Sequence, residues 1–203
     1  MGDDKQQTII NLYVKNKLSM MQIAQRLNLS ASGVGYYLHK NGVQKRSVSD
    51  AITNLHITKF NKRPFKLKNH LTKKEEELKI AGAMLYWGEG SKNGNTVKFT
   101  NSNPGMIRLF LKFLRIVCGV SEDRLKALIH MYPDHNKKEI ELFWSRATKI
   151  PSRRFYLSYI HKGKPGTYKN KSPYGTIALN YSDKRLLMTI LQWIKEYEKK
   201  LMA

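Results

Sequence analysis

The stretch that most constrains the fold runs from Ile80 to Gly90 and reads IAGAMLYWGEG. Its residues up to the tryptophan are apolar or small on every side of a helix, so a helix formed here has to be buried on every side. Ala81, Gly82 and Ala83 stand together in it, although a glycine inside a helix costs roughly 1 kcal/mol relative to alanine. Close approach to another helix is the usual reason for such a glycine. The segment therefore predicts a central helix with a helix-to-helix contact through its small residues.

The same stretch ends in a turn with one carboxylate, Glu89, between Gly88 and Gly90. A carboxylate at the C-terminus of a helix faces the negative end of the helix dipole, which is unfavourable. A divalent cation removes that cost, and Mg²⁺ typically takes one or two carboxylates together with waters and substrate phosphates. Glu89 is therefore a candidate metal ligand. The alternative is a solvent-facing glutamate in a glycine turn.

The charge of the chain indicates a polyanionic partner. The net charge is +22, from 37 Lys and Arg against 15 Asp and Glu, and no acid occurs in positions 5–49, 51–74 or 142–182. Acid-free windows of this length suit surfaces that face phosphates, so we expect binding to double-stranded DNA, with RNA as the less favoured partner. The single cysteine, Cys118, excludes a disulfide framework and a cysteine-rich zinc site.

The hydrophobic segments are all short. No apolar run approaches the roughly 20 residues that a membrane span needs. The first residues, MGDDKQ, carry acids and no apolar stretch, so no secretory signal is expected. We therefore expect a soluble protein of the cytoplasm or nucleoid that does not contact a membrane.

Residues 19–40, SMMQIAQRLNLSASGVGYYLHK, have the pattern of a helix-turn-helix. Ser19 and Ser30 are placed to cap two helices, and Asn28 suits the left-handed turn between them. Ala24 stands where the two helices cross and a larger side chain would clash. Residues 1–46 are thus predicted to form an all-α helix-turn-helix DNA-binding domain, the alternative being a small structural hairpin.

In the helix-turn-helix interpretation, the second helix of the pair enters the major groove with its first turns. The residues expected to contact DNA in this domain are Ser30, Ala31, Ser32, Gly33, Tyr36, His39, Lys40, Lys45 and Arg46. Residues 47–73 are basic, contain proline and lack clear periodicity, which predicts a linker. The linker either follows a phosphate backbone or is a solvated tether.

Residues 74–203 alternate between helical and strand patterns in the order α β α β α β β α. Val97 and Phe99 alternate with polar residues, Pro104 begins an amphipathic helix, and segments 153–161 and 174–182 read as strands. This order predicts an α+β domain with an antiparallel sheet.

The segments IAGAMLYWGEGS and VKFTNSNPGMIRLFLKFLR resemble the LAGLIDADG homing-endonuclease family. In that family a helix rich in small residues packs against its twin and ends in Gly-Asp-Gly or Gly-Glu-Gly, whose acid binds catalytic metal. The resemblance covers about residues 74–200, and its specific part is residues 88–91. Trp87 stands where many members carry a first acidic residue. Met84 stands where a small residue is usual, which shifts the expected helix contact toward Ala81, Gly82 and Ala83.

The resemblance implies a saddle-shaped sheet that lies on DNA, and one motif per chain implies a homodimer. Glu89 is then both the catalytic residue and the ligand of Mg²⁺ or Mn²⁺. The expected dimer interface is Ala81, Gly82, Ala83, Leu85 and Tyr86. The expected DNA contacts on strands and loops are Lys92, Lys98, Arg124, Lys126, Arg153, Arg154, Lys162 and Lys164.

Three functions remain open at this point. The first is a dimeric, sequence-specific, metal-dependent DNA endonuclease that hydrolyses phosphodiester bonds, which the presence of Glu89 favours. The second is a transcription regulator with a catalytically degenerate LAGLIDADG domain, which Trp87 favours. The third is an RNA-binding splicing cofactor, because some family members assist their own introns.

Overall fold

The structure, a computed structural model, describes residues 3–60 and 63–202. Residues 1, 2, 61, 62 and 203 belong to the predicted first domain, linker and second domain, and they lie outside the described residues. The chain divides into two compact units, Met1–Lys62 and Arg63–Ala203. The boundary between the units falls inside the segment predicted as a linker.

The first unit is helical throughout its described elements. Ser19 caps the second helix in a capping box with Gln22, and Ser30 caps the third by accepting a hydrogen bond from the Gly33 amide at 3.0 Å. Asn28 has the left-handed conformation (φ 52°), and its N–H donates to the Ala24 carbonyl. The caps and the turn were predicted, and they are confirmed. The helices are α1 (Asp3–Val14), α2 (Met20–Leu27), α3 (Ala31–Lys40) and α4 (Val48–Phe60).

The core of the first unit lies between α1, α2 and α3. Ala24 is buried at the crossing of α2 with its neighbours, as the sequence pattern required, and small size there permits close helix approach. The buried apolar residues of this core are Ile9, Leu12, Tyr13, Ile23, Ala24, Val34 and Leu38.

The prediction of an irregular linker over residues 47–73 is wrong. Residues Val48–Phe60 form α4, whose first turn is held by the Ser47 hydroxyl, which accepts from the Asp50 amide and donates to the Asp50 carboxylate at 2.7 Å. The sequence pattern did not predict this helix, because its apolar side chains do not form one buried stripe. Ile52 and Leu55, for example, are exposed.

Residues 63–72, the second half of the predicted linker, belong to the second unit. The Pro64 carbonyl accepts from the Ser121 amide at 2.8 Å, and the Lys66 amide donates to the Gly119 carbonyl at 3.1 Å. Gly119 has a φ of +56°, and a Cβ there would lie 2.1 Å from the Lys66 carbonyl oxygen, so glycine is required for this close approach. We call residues 63–72 the strap.

The second unit follows the predicted order of helices and strands. Short 3₁₀ turns at Glu122–Arg124 and Ser152–Arg154 precede β2 and β3. The elements are α5 (Lys73–Glu89), β1 (Val97–Asn101), α6 (Pro104–Ile116), β2 (Leu125–Met131), α7 (Lys137–Thr148), β3 (Tyr159–Ile160), β4 (Thr176–Tyr181) and α8 (Lys184–Met202).

The four strands form one mixed sheet in the order β1-β4-β2-β3. β4 pairs antiparallel with both β1 and β2, but β3 pairs parallel with β2, so the prediction of a wholly antiparallel sheet is wrong. The physical reason is the connection, because the chain crosses over through α7 before it forms β3, and a crossover brings a strand back in the same direction. The predicted strand over 153–161 shortens to Tyr159–Ile160, because Ser152–Arg154 forms a 3₁₀ turn.

The core of the second unit lies on one face of this sheet. Alternate strand residues are buried, and register pairs them in rungs such as Val97, Tyr181 and Leu125. They pack with apolar side chains of α5, α6, α7 and α8 in one cluster. Cys118 is fully buried there, and burial raises the pKa of its thiol. No described helix is long and apolar enough to cross a membrane.

Candidate nucleic-acid interface and metal-binding residue

Gly82 contacts a neighbouring helix of its own chain. A Cβ built on Gly82 would lie 2.2 Å from Cγ of Phe113 on α6, and Phe113 is fully buried. The sequence correctly indicated a close helix contact, but the contact joins α5 to α6. The prediction that Gly82 meets a second copy of the chain is therefore revised.

Ala83 and Tyr86 also face the chain's own core and were wrongly assigned to a dimer interface, since both side chains are fully buried. The Tyr86 ring stacks on Phe110 with centroids 5.6 Å apart. Its hydroxyl donates to the Ser91 carbonyl at 2.5 Å, and burial raises the pKa of Tyr86 to about 12. A Cβ on Gly90 would lie 2.4 Å from the Tyr86 ring. The second glycine of the Gly-Glu-Gly turn therefore makes room for this tyrosine.

The outward face of α5 carries a different set of residues. Positions 77, 81, 84 and 88 recur at helical spacing, so Glu77, Ala81, Met84 and Gly88 share one face. Glu77 and Gly88 are exposed, whereas Ala81 and Met84 are half-buried. Leu85, the remaining residue of the predicted dimer interface, is half-buried beside them. Exposed apolar side chains at Ile80 and Trp87 border this face.

Glu89 is the last residue of α5, and its side chain is exposed. Its carboxylate has no hydrogen bond or ion pair with another described residue. The residues that follow are attached to β1, because Gly90 pairs with Phe99 and the Ser91 amide donates to the Lys98 carbonyl at 2.9 Å. Within the described ranges, no group of three His, Cys, Asp or Glu side chains could hold a metal ion.

The sheet face opposite the core is polar and basic. Lys98 of β1 and Lys126 of β2 both pair with Asn180 of the central strand β4, so the three side chains form one rung across the open face. The predicted contacts Lys98 and Lys126 thus lie together, with Lys98 directly beside the turn that holds Glu89. Sequence reasoning missed Asn180 and His130, although the alternation in TIALNY and LKALIHM already put them on this face.

Two arginines predicted to contact DNA are engaged inside the second unit. The Arg124 guanidinium donates to the buried Asp183 carboxylate at 3.1 Å and to the Ser182 carbonyl. Arg154 donates to the Glu122 carbonyl at 2.7 Å and lies 3.2 Å from the Asp123 carboxylate. Their side chains are only 12% and 20% exposed, so both stabilise the fold and are not free for phosphates.

Four other predicted contacts in the second unit are exposed and available. Arg153 lies in the 3₁₀ turn before β3, and Lys92 lies in the loop between α5 and β1. Lys162 and Lys164 lie in the loop after β3. That loop is internally tied, because the Tyr168 hydroxyl donates to the Lys162 carbonyl at 2.8 Å.

The first unit exposes part of its predicted DNA-contacting set. The Ser30 hydroxyl is engaged as a helix cap, and Ala31 and Gly33 are half-buried. Arg46 stacks 3.9 Å over the Tyr13 ring and donates to the Lys17 carbonyl, so it serves the fold and the prediction for it is wrong. The remaining predicted residues are exposed, namely Ser32, Tyr36, His39, Lys40 and Lys45.

No protein-family model, curated protein or solved structure matches this chain. Its function therefore has to be inferred from these surfaces. Those in the second unit are the basic rung on the sheet, the neighbouring turn with Glu89, and the outward face of α5. The first unit adds the exposed side of α3.

Proposed function

We propose that this chain is a sequence-specific DNA-binding protein and, as a homodimer, a metal-dependent DNA endonuclease that resembles the LAGLIDADG family. The observation that carries the proposal is the position of Glu89. An exposed carboxylate without a partner among the described residues stands beside a basic rung, since Ser91 connects its turn to Lys98. A free acid next to lysines that are placed for phosphates suits a cation bound between protein and DNA.

DNA binding by the sheet is supported by its open face. The Lys98, Asn180 and Lys126 rung offers two positive charges and an amide that can both donate and accept hydrogen bonds. Exposed Lys92 and Arg153 add charge in the loops that border the sheet. Lysine and arginine contacts to phosphates supply affinity, and polar side chains on a strand can contact base edges.

Sequence preference is assigned to the first unit. Helices α2 and α3 are joined by a short turn, and α3 exposes Ser32, Tyr36, His39 and Lys40 along one side. In a helix-turn-helix, the second helix places such residues in the major groove. Ser32 and Tyr36 are suited to base edges, while Lys40 is suited to the phosphate backbone.

The residues fit a hard divalent cation only in a composite site. Glu89 is a single oxygen ligand, and Mg²⁺ in phosphoryl-transfer sites commonly takes one or two carboxylates with phosphates and waters. A second copy would supply the second carboxylate, and DNA would supply the phosphates. The bound cation would activate water and stabilise the leaving oxygen. Glu89 would hold the cation, and Lys98 would hold the neighbouring phosphate.

The homodimer is proposed to form through the outward face of α5. This face has small residues at Ala81 and Gly88, which permit close backbone approach, and half-buried Met84 between them. Ile80 and Trp87, 42% and 38% exposed, would be covered by the partner. Because Glu89 ends the same helix, parallel pairing of two copies along this face would bring the two carboxylates toward one another.

The second candidate is a transcription regulator that binds DNA without cutting it. The observation that favours it is Trp87, which is exposed where many proteins of the resembling family carry another acid. With a single carboxylate at each helix end, cation affinity depends entirely on the partner and the DNA.

The deciding experiment is cleavage by the Glu89→Gln variant on a library of randomised duplex DNA with Mg²⁺ or Mn²⁺. Glutamine keeps the shape but removes the charge that attracts the cation, so cleavage should fall by orders of magnitude. Duplex binding should stay equal or tighten, because one anion facing phosphate is gone. Glu76→Gln is the matched control, since it removes the same charge from the opposite end of α5 and should leave cleavage unchanged.

Two outcomes would contradict the endonuclease. Cleavage that survives Glu89→Gln would make this residue an ordinary turn glutamate. A wild-type chain that binds one duplex sequence tightly, yet never cuts with any metal, would establish the regulator instead.

A further inference from the structure

The edge strand β3 differs from the other strands of the sheet. Each of the other three strands has a buried face, whereas both residues of β3, Tyr159 and Ile160, are exposed. Its neighbour Leu157 is 85% exposed and Tyr156 is 47% exposed. Hydrophobic burial therefore does not account for the aromatic and apolar character of residues 156–161.

Rings from three neighbouring segments meet at this edge. Tyr132, which follows β2, contacts His161 (centroids 5.3 Å apart, 25° between planes) and Tyr168 of the loop (4.7 Å), and these two rings lie 6.0 Å from each other. His130 of β2 lies 5.6 Å from Tyr159. Tyr132 therefore belongs to a cluster of rings that supports the edge.

Tyr159 has a ring face that is available for stacking. It is 48% exposed and meets His161 edge-on, at 89°, so its neighbour does not cover it by stacking. Register pairs Tyr159 with His130, which places both on the open sheet face with Lys98 and Lys126. An aromatic face is therefore presented on the basic side of the sheet.

The charges around this edge are predominantly positive. The loop after β3 brings exposed Lys162, Lys164 and Lys169. The nearby acids are engaged, since Asp134 pairs with Lys171 and Glu141 accepts from the Ser158 hydroxyl at 2.9 Å. A phosphate group at this edge would therefore contact lysines, and both of the acidic side chains named here are already engaged.

We propose that Tyr159 and the loop lysines form a binding site for an unpaired nucleotide, with the base stacked on Tyr159 and its phosphates at Lys162 and Lys164. The site rests on the proposed function only in that its ligand is nucleic acid. It does not require cleavage. Exposed aromatic rings beside a basic groove are the combination that binds single strands without sequence preference.

An unpaired base is favoured over a duplex for a geometric reason. In a duplex, the faces of the bases are covered by their neighbours, and only edges and phosphates are presented to a protein. A tyrosine face can be filled by a base only where stacking in the nucleic acid is interrupted. Single-stranded DNA and single-stranded RNA both offer that chemistry.

The test compares the full-length wild type with Tyr159→Ala for binding three labelled probes: a short single-stranded DNA, RNA of the same sequence, and the corresponding blunt duplex. Loss of one stacked base should weaken single-strand binding roughly 5- to 150-fold. Duplex binding should change much less, because a stacked base pair presents only edges and phosphates and cannot cover the face of the Tyr159 ring. The probe that responds more strongly, DNA or RNA, identifies the source of the nucleotide.

Three variants control the interpretation. Tyr159→Phe retains the ring and should bind like wild type, whereas Tyr159→Leu retains apolar bulk in a strand and should bind like the alanine variant. Tyr174→Ala removes a comparably exposed tyrosine whose ring already stacks on Phe143 at 3.5 Å, and it should have no effect.

Failure of this site is distinguishable from failure of the proposed function. Suppose that the wild type binds duplex and that the wild type and Tyr159→Leu bind single strands equally well. That result overturns the nucleotide site but leaves the DNA-binding proposal standing. If no probe binds the wild type, both fall. Equal weakening of single strand and duplex would also overturn the site, because Tyr159 would then be a general contact.

Discussion

The substitution Gly82→Ala tests the assignment of the central helix contact. Two effects oppose each other. Alanine in a helix is favoured over glycine by roughly 1 kcal/mol. Against this, the new Cβ would lie 2.2, 2.5 and 2.6 Å from Cγ, Cδ2 and Cβ of Phe113. These atoms are close to the backbone of a fully buried residue, so they cannot move aside as a flexible side-chain end would.

Overpacking of a core typically costs about 1–3 kcal/mol, and contact with the ring base of Phe113 favours the upper part of that range. The Phe113 ring is also held by Phe110, with centroids 5.7 Å apart, and by Trp193 at 6.1 Å. The net effect of Gly82→Ala should be a loss of about 1–2 kcal/mol in the free energy of unfolding. That corresponds to a melting temperature lower by about 3–8 °C, measured by calorimetry on the transition of the second unit.

Gly88→Ala is the matched control, because no atom lies within 4 Å of a Cβ built there. In the single chain, measured at low protein concentration, the same substitution on the same helix should raise the free energy of unfolding by up to about 1 kcal/mol, whereas at the proposed dimer face the added methyl group should weaken pairing. In the double variant Gly82→Ala with Phe113→Ala, the loss of Cγ and Cδ2 removes the two closest contacts and should give a favourable coupling of at least about 0.5 kcal/mol. A Gly82→Ala variant that melts at or above the wild-type temperature, and yet separates the dimer in light scattering, would refute the reasoning and return Gly82 to the dimer interface.

Two further predictions concern charged groups of the second unit. Arg124→Met should lower the free energy of unfolding by about 3–5 kcal/mol in urea denaturation, because it leaves the buried Asp183 carboxylate without its charged partner. Arg153→Met removes an exposed charge and should not have this effect. Equally small effects of the two substitutions would return Arg124 to the predicted DNA-contacting set. The free energy of unfolding should fall as the pH is lowered below about 6.5, because burial lowers the pKa of His130 in the fold and the unfolded chain then takes up the proton more readily. The urea midpoint should therefore drop more between neutral and acidic pH in the wild type than in His130→Gln, and an equal drop in both would contradict this.

Most of the fold follows from patterns that are local in sequence. The caps at Ser19 and Ser30 and the left-handed Asn28 each depend on neighbouring residues, and all three lie where the sequence placed them. The order of elements in the second unit follows likewise from periodicity. The parallel pairing of β3 does not, because the two residues Tyr159 and Ile160 carry no signal of strand direction.

The candidate site was predictable only in part, because a residue's type does not identify its partner. Gly82 indicates that something lies close, and Phe113 is far away in sequence. The sequence indicated surface charge at three arginines that in fact donate hydrogen bonds inside their own units, namely Arg46, Arg124 and Arg154. Lysines on alternating strand positions were more reliable, because the alternation itself determines the face on which they lie.

The strap has a practical consequence for replacing the first unit, which is the proposed DNA-binding domain. The Pro64 carbonyl accepts from the Ser121 amide and from the hydroxyl of Tyr181, which is itself fully buried. A fusion joined at Lys73, where α5 begins, would remove that carbonyl and leave the buried Tyr181 hydroxyl without its acceptor. A chimeric protein with a different first unit should therefore be joined before Arg63, so that residues 63–72 remain part of the second unit.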